Sequence, residues 1–296
     1  MGKYNSKPID VNTVTKTSKL TGKTVQYEEN VYDVLTVQKE KDYTARKDEF
    51  NIIRDTYFGS YYSHFFTKLK SVDIPCQMKT RFLYLCSYMN YEDCFLVDDK
   101  STHKNKLTKK EIASILKLGK SEFAETISIL LENKLIIECN GGYIINNEYA
   151  IKGEVGKSKD NIGNYTRVFD QGIRELYNQC SAKQHRRLYC LFALLPYINL
   201  KYNVVTVSDV SEENYEEVVA MNMKGVCDLV GYDKTKSKRL EKELLQLKIG
   251  GKDVIAITKR SAGSVIKVNP AIYYAGTTNQ VNELKILMAD FGYMVS

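Results

Sequence analysis

The sequence predicts a mainly α-helical protein with small β-hairpins, an α+β fold, built from two tandem copies of one unit. Blocks of sequence recur in the same order in both halves, and each copy places helical apolar spacing before strand-like runs. The length of 296 residues is sufficient for two hydrophobic cores. The predicted order is a flexible arm (1–24), an N-terminal extension (25–60), repeat 1 (61–153), a linker (154–164), repeat 2 (165–276) and a C-terminal helix (277–296).

The first helix of each repeat is amphipathic. Arg81–Cys86 aligns with Arg187–Phe192, and the apolar residues that start in these segments fall at i, i+3, i+4 and i+7. This spacing gives each helix one apolar face, which we expect to be buried.

The second block predicts two short helices joined by a tight turn. It aligns Ile112–Leu135 with Val226–Ile249 without a gap. Thr108 followed by Glu111 matches a capping box at the start of the first helix. Ser121 is a candidate cap for the second helix.

A β-hairpin is predicted after each second helix, over Leu135–Ile145 in repeat 1 and Val254–Val268 in repeat 2. The hairpins end in a third shared block, Asn146–Gly153 aligned with Asn269–Gly276. Helix, helix, turn, helix and hairpin is the order of a winged helix-turn-helix. The prediction is therefore two tandem winged helix-turn-helix domains with small β-wings.

The segments outside the repeats carry weaker signals. Residues 1–24 are polar and predict a flexible arm, while Val31–Leu35 and Phe50–Ile53 predict a strand and a short helix. Residues 154–164 form a polar, Gly-containing linker that would let the domains reorient. Val281–Met294 has the spacing of a packed helix, and packing within the chain or across a homodimer remains open.

The pattern resembles the winged-helix domains of replication proteins from Gram-positive plasmids and of phage regulators. The residues that carry it are the helix-turn-helix around Leu107–Leu135 and the segment Val268–Gly276, which contains Asn269-Pro270 and an aromatic pair. Repeat 1 departs from this pattern at Asn147, where repeat 2 has Pro270. The resemblance implies duplex DNA binding in replication initiation or transcription control of a plasmid or phage, in the cytoplasm of a bacterial host cell.

In a helix-turn-helix the second helix enters the major groove and presents its N-terminal half to the bases. In repeat 2 this helix is rich in Lys and Arg, with charge nearly all of one sign. A Lys-rich face is also typical of a solvated surface, but its position on the groove-facing element favours DNA contact. The predicted DNA-binding residues of repeat 2 are Lys234, Thr235, Lys236, Ser237, Lys238, Arg239 and Lys242, with Lys259 and Arg260 at the wing tip.

Repeat 1 offers a weaker set of DNA contacts, because Glu122 and Glu125 on its second helix would repel phosphates. A structural or dimerising role fits this repeat equally well. The alternative function is therefore a winged-helix interaction module that recruits polymerase or a helicase loader, so the replication or transcription machinery is a second class of partner. The candidate DNA-binding residues here are Lys104, Lys106, Lys109, Lys110, Lys120, Ser121 and Thr126.

The sequence predicts no enzyme activity, cofactor or metal site. Three Gly-Lys-Ser/Thr triplets lack the upstream Gly of a phosphate loop, and the histidines and the seven cysteines are scattered singly. The cysteines are predicted to be reduced thiols. No apolar run is long enough to span a membrane. The net charge of +7 is compatible with a polyanionic partner if the cations cluster.

Overall fold

The structure, a computed structural model, describes residues 11–17, 24–91, 93–98, 105–139, 141–153, 165–260, 263–274 and 280–294. The chain divides into two units, Met1–Ile52 and Ile53–Ser296. The predicted linker, residues 154–164, and the predicted contact Lys104 lie outside the described residues.

The first unit contains an antiparallel hairpin of β1 (Val11–Thr17) and β2 (Thr24–Asn30), followed by α1 (Val31–Tyr57), which continues into the second unit. The predicted arm, residues 1–24, thus contributes β1. The prediction of a strand at Val31–Leu35 is wrong, because this segment is the first part of a 27-residue helix. The apolar run is short, and the Lys- and Glu-rich residues after it favour a helix.

The second unit is a mixed α+β structure with small antiparallel sheets. Repeat 1 contains β3 (Tyr61–His64), α2 (Phe66–Ser71), α3 (Cys76–Cys86), α4 (Lys109–Leu116), α5 (Lys120–Glu132), β4 (Ile136–Cys139), β5 (Gly142–Ile145) and β6 (Ala150–Ile151). Repeat 2 contains β7 (Thr166–Phe169), α6 (Asp170–Gln179), α7 (His185–Phe192), α8 (Met223–Val230), α9 (Ser237–Leu245), β8 (Lys248–Ile249), β9 (Lys252–Asp253), β10 (Ile255–Arg260) and β11 (Gly263–Val268). Short 3-10 turns precede α7 at Ala182–Gln184 and α9 at Lys234–Lys236, and α10 (Val281–Asp290) follows repeat 2.

The predicted pair of short helices in each repeat is confirmed, and their ends are fixed by local chemistry. The capping box at α4 is present, since Thr108 accepts from the Glu111 backbone while the Glu111 carboxylate accepts from the Thr108 backbone. At α8 the Asn222 side chain caps the start of the helix by accepting from the Gly225 amide at 3.0 Å. Ser121 is not a cap, because α5 begins one residue earlier, after Gly119.

The end of each hairpin is held by an asparagine in the same way. The Asn146 side chain donates to the Lys134 carbonyl at 2.8 Å and accepts from the backbone amide two residues ahead at 3.0 Å. The Asn269 side chain donates to the Asp253 carbonyl at 2.8 Å and accepts from the amide two residues ahead at 2.9 Å. Matching bonds at matching positions support the repeat that the sequence predicts.

These bonds correct the alignment at the start of the hairpins. The Asn146 amide donates to the Leu135 carbonyl and the Asn269 amide to the Val254 carbonyl, so Leu135 corresponds to Val254 rather than to Ile249. Repeat 2 contains an additional small hairpin, β8 paired with β9, between α9 and β10. The larger offset between the Asn146 and Asn269 blocks predicts an insertion in the hairpin region of repeat 2, but the apolar Ile249 at the position aligned with Leu135 concealed where it begins.

The two repeats are joined strand to strand in a sheet of order β6-β3-β7. In the antiparallel β3–β7 ladder Tyr62 pairs with Val168, Ser63 with Arg167 and His64 with Thr166. This shared sheet differs from the reorientable domains that the sequence predicts. The sequence does not reveal this sheet because it joins strands that are far apart in the chain. β7 lies just after the predicted linker and pairs with β3, the strand that opens repeat 1.

Helices also pack across this boundary, with α3 against α7. Arg81 on α3 is 1% exposed, and it donates through Nη1 to the Thr126 hydroxyl at 2.7 Å and pairs through Nη2 with the Glu122 carboxylate. Its Nε donates to Nδ1 of His185 at 3.4 Å. The His185 ring stacks on Tyr177 with ring centroids 4.2 Å apart. A charged residue is therefore satisfied inside the boundary by groups from both repeats.

The predicted C-terminal helix is confirmed and packs within the chain. Leu284, Leu287 and Met288 on α10 are buried. The Lys267 ammonium on β11 pairs with the Asp290 carboxylate at 2.6 Å. The helix is thus anchored on the hairpin of repeat 2.

Candidate nucleic-acid interface

The second helical segment of repeat 2 presents a basic face to solvent. It begins with the 3-10 turn at Lys234–Lys236, where the Asp233 carboxylate caps the turn by accepting from the Thr235 amide at 2.9 Å. Leu240 and Leu244 face the core at 0% and 2% exposure. The exposed residues on the opposite side, at i, i+3, i+4 and i+7, are Thr235, Lys238, Arg239 and Lys242.

The cations of this segment are partly opposed by acidic residues, which corrects the interpretation that their charge is nearly all of one sign. Arg239 pairs with Glu243 at 2.9 Å, and Glu243 also lies 3.5 Å from Arg187. The remaining pairs are Lys234 with Asp228 at 2.7 Å and Lys236 with Asp233 at 3.4 Å. The Arg239–Glu243 pair is a helical i,i+4 pair that was readable from the sequence.

Lys238 and Lys242 are the cations of the α9 face that remain available. Both are exposed, and neither makes an ion pair with a described residue. They lie one helical turn apart, so both ammonium groups project from the same side of α9. Ser237, the first residue of α9, is half-buried and less accessible than these lysines.

The hairpin of repeat 2 brings a further cation to the surface. Lys259 is exposed and lies on β10, opposite Ser264 of β11. Arg260 pairs with Gly263 at the last position of the ladder, so Lys259 and Arg260, predicted at the wing tip, are the last two residues of β10. The side chain of Arg260 lies outside the described residues.

The corresponding face of repeat 1 has different chemistry. In α5 the exposed residues on this face are Ser121, Ala124, Glu125 and Ser128, where repeat 2 has Thr235, Lys238, Arg239 and Lys242. Lys120 and Ser121 at the start of α5 are exposed as predicted, and so are Lys109 and Lys110 at the start of α4. Lys106 is exposed with its ammonium 3.7 Å from the centre of the Phe95 ring.

Thr126 is wrongly predicted as a DNA contact. Its side chain is 0% exposed, and its hydroxyl accepts from Arg81 and donates to the Glu122 carbonyl at 2.7 Å. Thr126 follows Phe123 by three residues and precedes Leu130 by four, so the helical spacing already places it on the buried face.

Glu122 likewise has a different role from the one expected. Its carboxylate is the counter-ion of the buried Arg81, although the Glu122 side chain itself is 40% exposed, so its charge is balanced within repeat 1. Glu125 is exposed and makes no ion pair with a described residue. Glu125 is thus the carboxylate among the four residues of the α5 face, and Glu132, one turn beyond Ser128, is a second exposed carboxylate at the end of α5. The Arg81–Glu122 pair spans two helices and left no local signal in the sequence.

The cysteines and histidines supply no metal site among the described residues, where no group of three or more His, Cys, Asp or Glu could hold an ion. All seven cysteines are free thiols. In the described part of the chain no helix combines the length and the apolar character needed to cross a membrane.

Comparison of the chain with protein-family models, with curated proteins and with solved structures found no match in any of the three. The fold and the chemistry of the described residues are therefore the basis for assigning a class of function.

Proposed function

We propose that this protein binds specific double-stranded DNA through two tandem winged helix-turn-helix repeats and controls replication initiation or transcription of a plasmid or phage. The observation that carries the proposal is the solvent-facing row Thr235, Lys238, Arg239 and Lys242 on the second helix of repeat 2. In a helix-turn-helix this is the surface that enters the major groove.

The element order in each repeat supports this assignment. Two short helices meet at a residue in the left-handed region, Lys117 in repeat 1 and Gly231 in repeat 2, with φ of 53° and 65°. A two-stranded hairpin, the proposed wing, follows the second helix in both. The hairpin of repeat 2 adds the exposed Lys259, which is suited to a phosphate.

The chemistry of the face suits duplex DNA in two ways. Lysine ammonium groups bind phosphates, and arginine and threonine side chains can form hydrogen bonds with base edges. The Arg239 guanidinium already donates to the Glu243 carboxylate. To contact a base, it must either leave that carboxylate or bind the base and the carboxylate at the same time. Lys238 and Lys242 require no such exchange.

A fluorescence anisotropy titration tests this proposal. The full chain is titrated into labelled duplexes selected from a random pool, and into a scrambled duplex of equal composition. We expect a selected duplex to bind about a thousand-fold or more tightly than the scrambled one. Equal affinity for both would contradict specific recognition, and absence of binding at low salt would contradict DNA binding altogether.

A second candidate function has one observation in its favour, the α5 face of repeat 1. Ser121, Ala124 and Ser128 are small, and Glu125 is acidic, so this face is less suited to phosphate than its counterpart in repeat 2. A protein-binding role for repeat 1, such as recruitment of polymerase or a helicase loader, fits that composition. It predicts that Glu125→Lys leaves DNA affinity unchanged within two-fold, which the same titration measures.

A further inference from the structure

The relation between the two repeats is fixed by the strands that join them. Phe65 follows β3 and donates its amide to the Tyr149 carbonyl at 2.9 Å, while Phe169 ends β7 and donates to the Ile272 carbonyl at 3.2 Å. Tyr149 and Ile272 occupy matching positions, each three residues after the asparagine that closes the hairpin. Phe65 and Phe169 are thus equivalent residues, and two positions earlier so are Ser63 and Arg167.

These equivalent residues are also direct partners in the ladder, since Ser63 pairs with Arg167. On either side Tyr62 pairs with Val168 and His64 with Thr166. Antiparallel pairing of a strand with its own counterpart, centred on equivalent residues, is the geometry of a two-fold axis through the central pair.

The helices obey the same relation. Cys76–Cys86, which is α3, aligns with the 3-10 turn and α7 together, Ala182–Phe192, and these equivalent segments pack against each other. A surface that contacts its own equivalent is the mark of an isologous interface. The described parts of the two repeats therefore have the arrangement of a two-fold dimer within a single chain.

A rotation about a two-fold axis does not change the position of an atom measured along that axis. The second helices of the repeats, α5 and α9, consequently lie at the same end of this arrangement and run in opposite senses across the axis. Duplex DNA has local two-fold axes perpendicular to its length, and the symmetry of an operator mirrors the two-fold symmetry of the protein that binds it.

We infer that one chain reads two half-sites in inverted orientation, one with α5 and one with α9, and that the two half-sites differ in sequence. This inference rests on the proposed function. The inverted order follows from the two-fold relation, because a direct repeat would require the two helices to be related by a translation. The difference between half-sites follows from the faces, since Ser121, Ala124, Glu125 and Ser128 cannot read the bases that suit Thr235, Lys238, Arg239 and Lys242.

The test transfers the face of repeat 2 onto repeat 1. The variant carries Ser121→Thr, Ala124→Lys, Glu125→Arg and Ser128→Lys, four exposed positions where the fold tolerates change. The half-site that repeat 2 binds is located first. Base changes in this half of a selected duplex weaken binding of the wild-type chain but do not affect binding of the Lys238→Ala/Lys242→Ala variant. Three probe duplexes then carry this half-site as an inverted pair, as a direct pair and singly, with the spacing of the selected duplex.

We expect the variant to bind the inverted pair about ten-fold or more tightly than the direct pair or the single site, with one chain per duplex. A control variant, Glu148→Lys/Glu213→Lys, adds the same total charge at exposed positions away from α5 and should show no such preference. A circular dichroism spectrum identical to that of the wild type shows that each variant is folded.

Each result has a distinct meaning. Equal or tighter binding of the direct pair, equal binding of the single site, or two chains per inverted duplex would overturn the inference while leaving DNA binding in place. Failure of the wild-type chain to bind any selected duplex at low salt would instead overturn the proposed function.

Discussion

Ser63 pairs with Arg167 in the ladder that joins the two repeats, and the two residues occupy equivalent positions. The edge strand that each repeat would expose alone is thereby covered by its counterpart. The boundary also contains the satisfied Arg81 and the stacked rings of Tyr177 and His185. The two repeats consequently depend on each other for burial.

The first prediction is that repeats 1 and 2 unfold together. Since β3 and β7 form one sheet and α3 packs on α7, loss of one repeat exposes the paired edge and apolar face of the other. Hydrogen exchange measured at increasing urea concentration should give one common unfolding transition for the backbone amides of α4–α5 and α8–α9. Two separate transitions would show that the repeats are independent domains.

The second prediction compares two glutamates on α5. Glu122→Gln removes the carboxylate partner of the buried Arg81 and should lower the free energy of unfolding by about 1.5–3 kcal/mol. Glu125→Gln, at an exposed position without an ion pair among the described residues, should change it by less than about 0.5 kcal/mol. Urea denaturation measures both variants, and equal effects would contradict the role assigned to Arg81.

The third prediction concerns stability at mildly acidic pH. Burial lowers the pKa of His64 to about 3, and burial together with the nearby Arg81 guanidinium lowers the pKa of His185 to about 4. Below the unfolded pKa of about 6.5 the unfolded chain binds protons that the folded chain does not. The stability from neutral burial is complete above that pH and is lost as pH falls toward 4.

Between pH 6 and 5 each histidine should therefore lower the free energy of unfolding by roughly 1 kcal/mol. Burial raises the pKa of Asp170, which acts in the opposite direction because the folded chain binds that proton more readily. Urea denaturation across this range, compared with His64→Leu and His185→Gln, measures the slope. Imidazole NMR signals assigned to His64 or His185 that titrate near 6.5 in the folded wild type would contradict the prediction without requiring either variant to fold.

Features encoded locally could be predicted from the sequence. The Thr108–Glu111 capping box, the helical apolar spacing of α3 and α10 and the β4–β5 hairpin all depend on residues near each other in the chain. The repeat itself was also visible, because equivalent cores require equivalent apolar spacing. Matching side-chain bonds of Asn146 and Asn269 support it.

Features formed by residues distant in the chain could not be predicted from the sequence. The β3–β7 ladder joins Tyr61–His64 to Thr166–Phe169, and neither short strand identifies its partner. Arg81 and Glu122 are 41 positions apart, so in the sequence Glu122 resembles a surface charge and its buried partner is not apparent. For the candidate site, the exposed row on α9 was predicted, whereas the pairing of Lys234 with Asp228 depends on how α8 approaches the turn.

The measurement that tests the central claim most directly is the salt dependence of duplex binding with and without Lys238 and Lys242. Each phosphate contact contributes a slope of about −0.9 in log K against log salt, so Lys238→Ala/Lys242→Ala should make the slope shallower by about 2. The matched control, Lys68→Ala/Lys183→Ala, removes two exposed lysines outside the second helices and should leave the slope unchanged. Equal slopes for the wild type and both double variants would contradict the assignment of the α9 face as the DNA-binding surface.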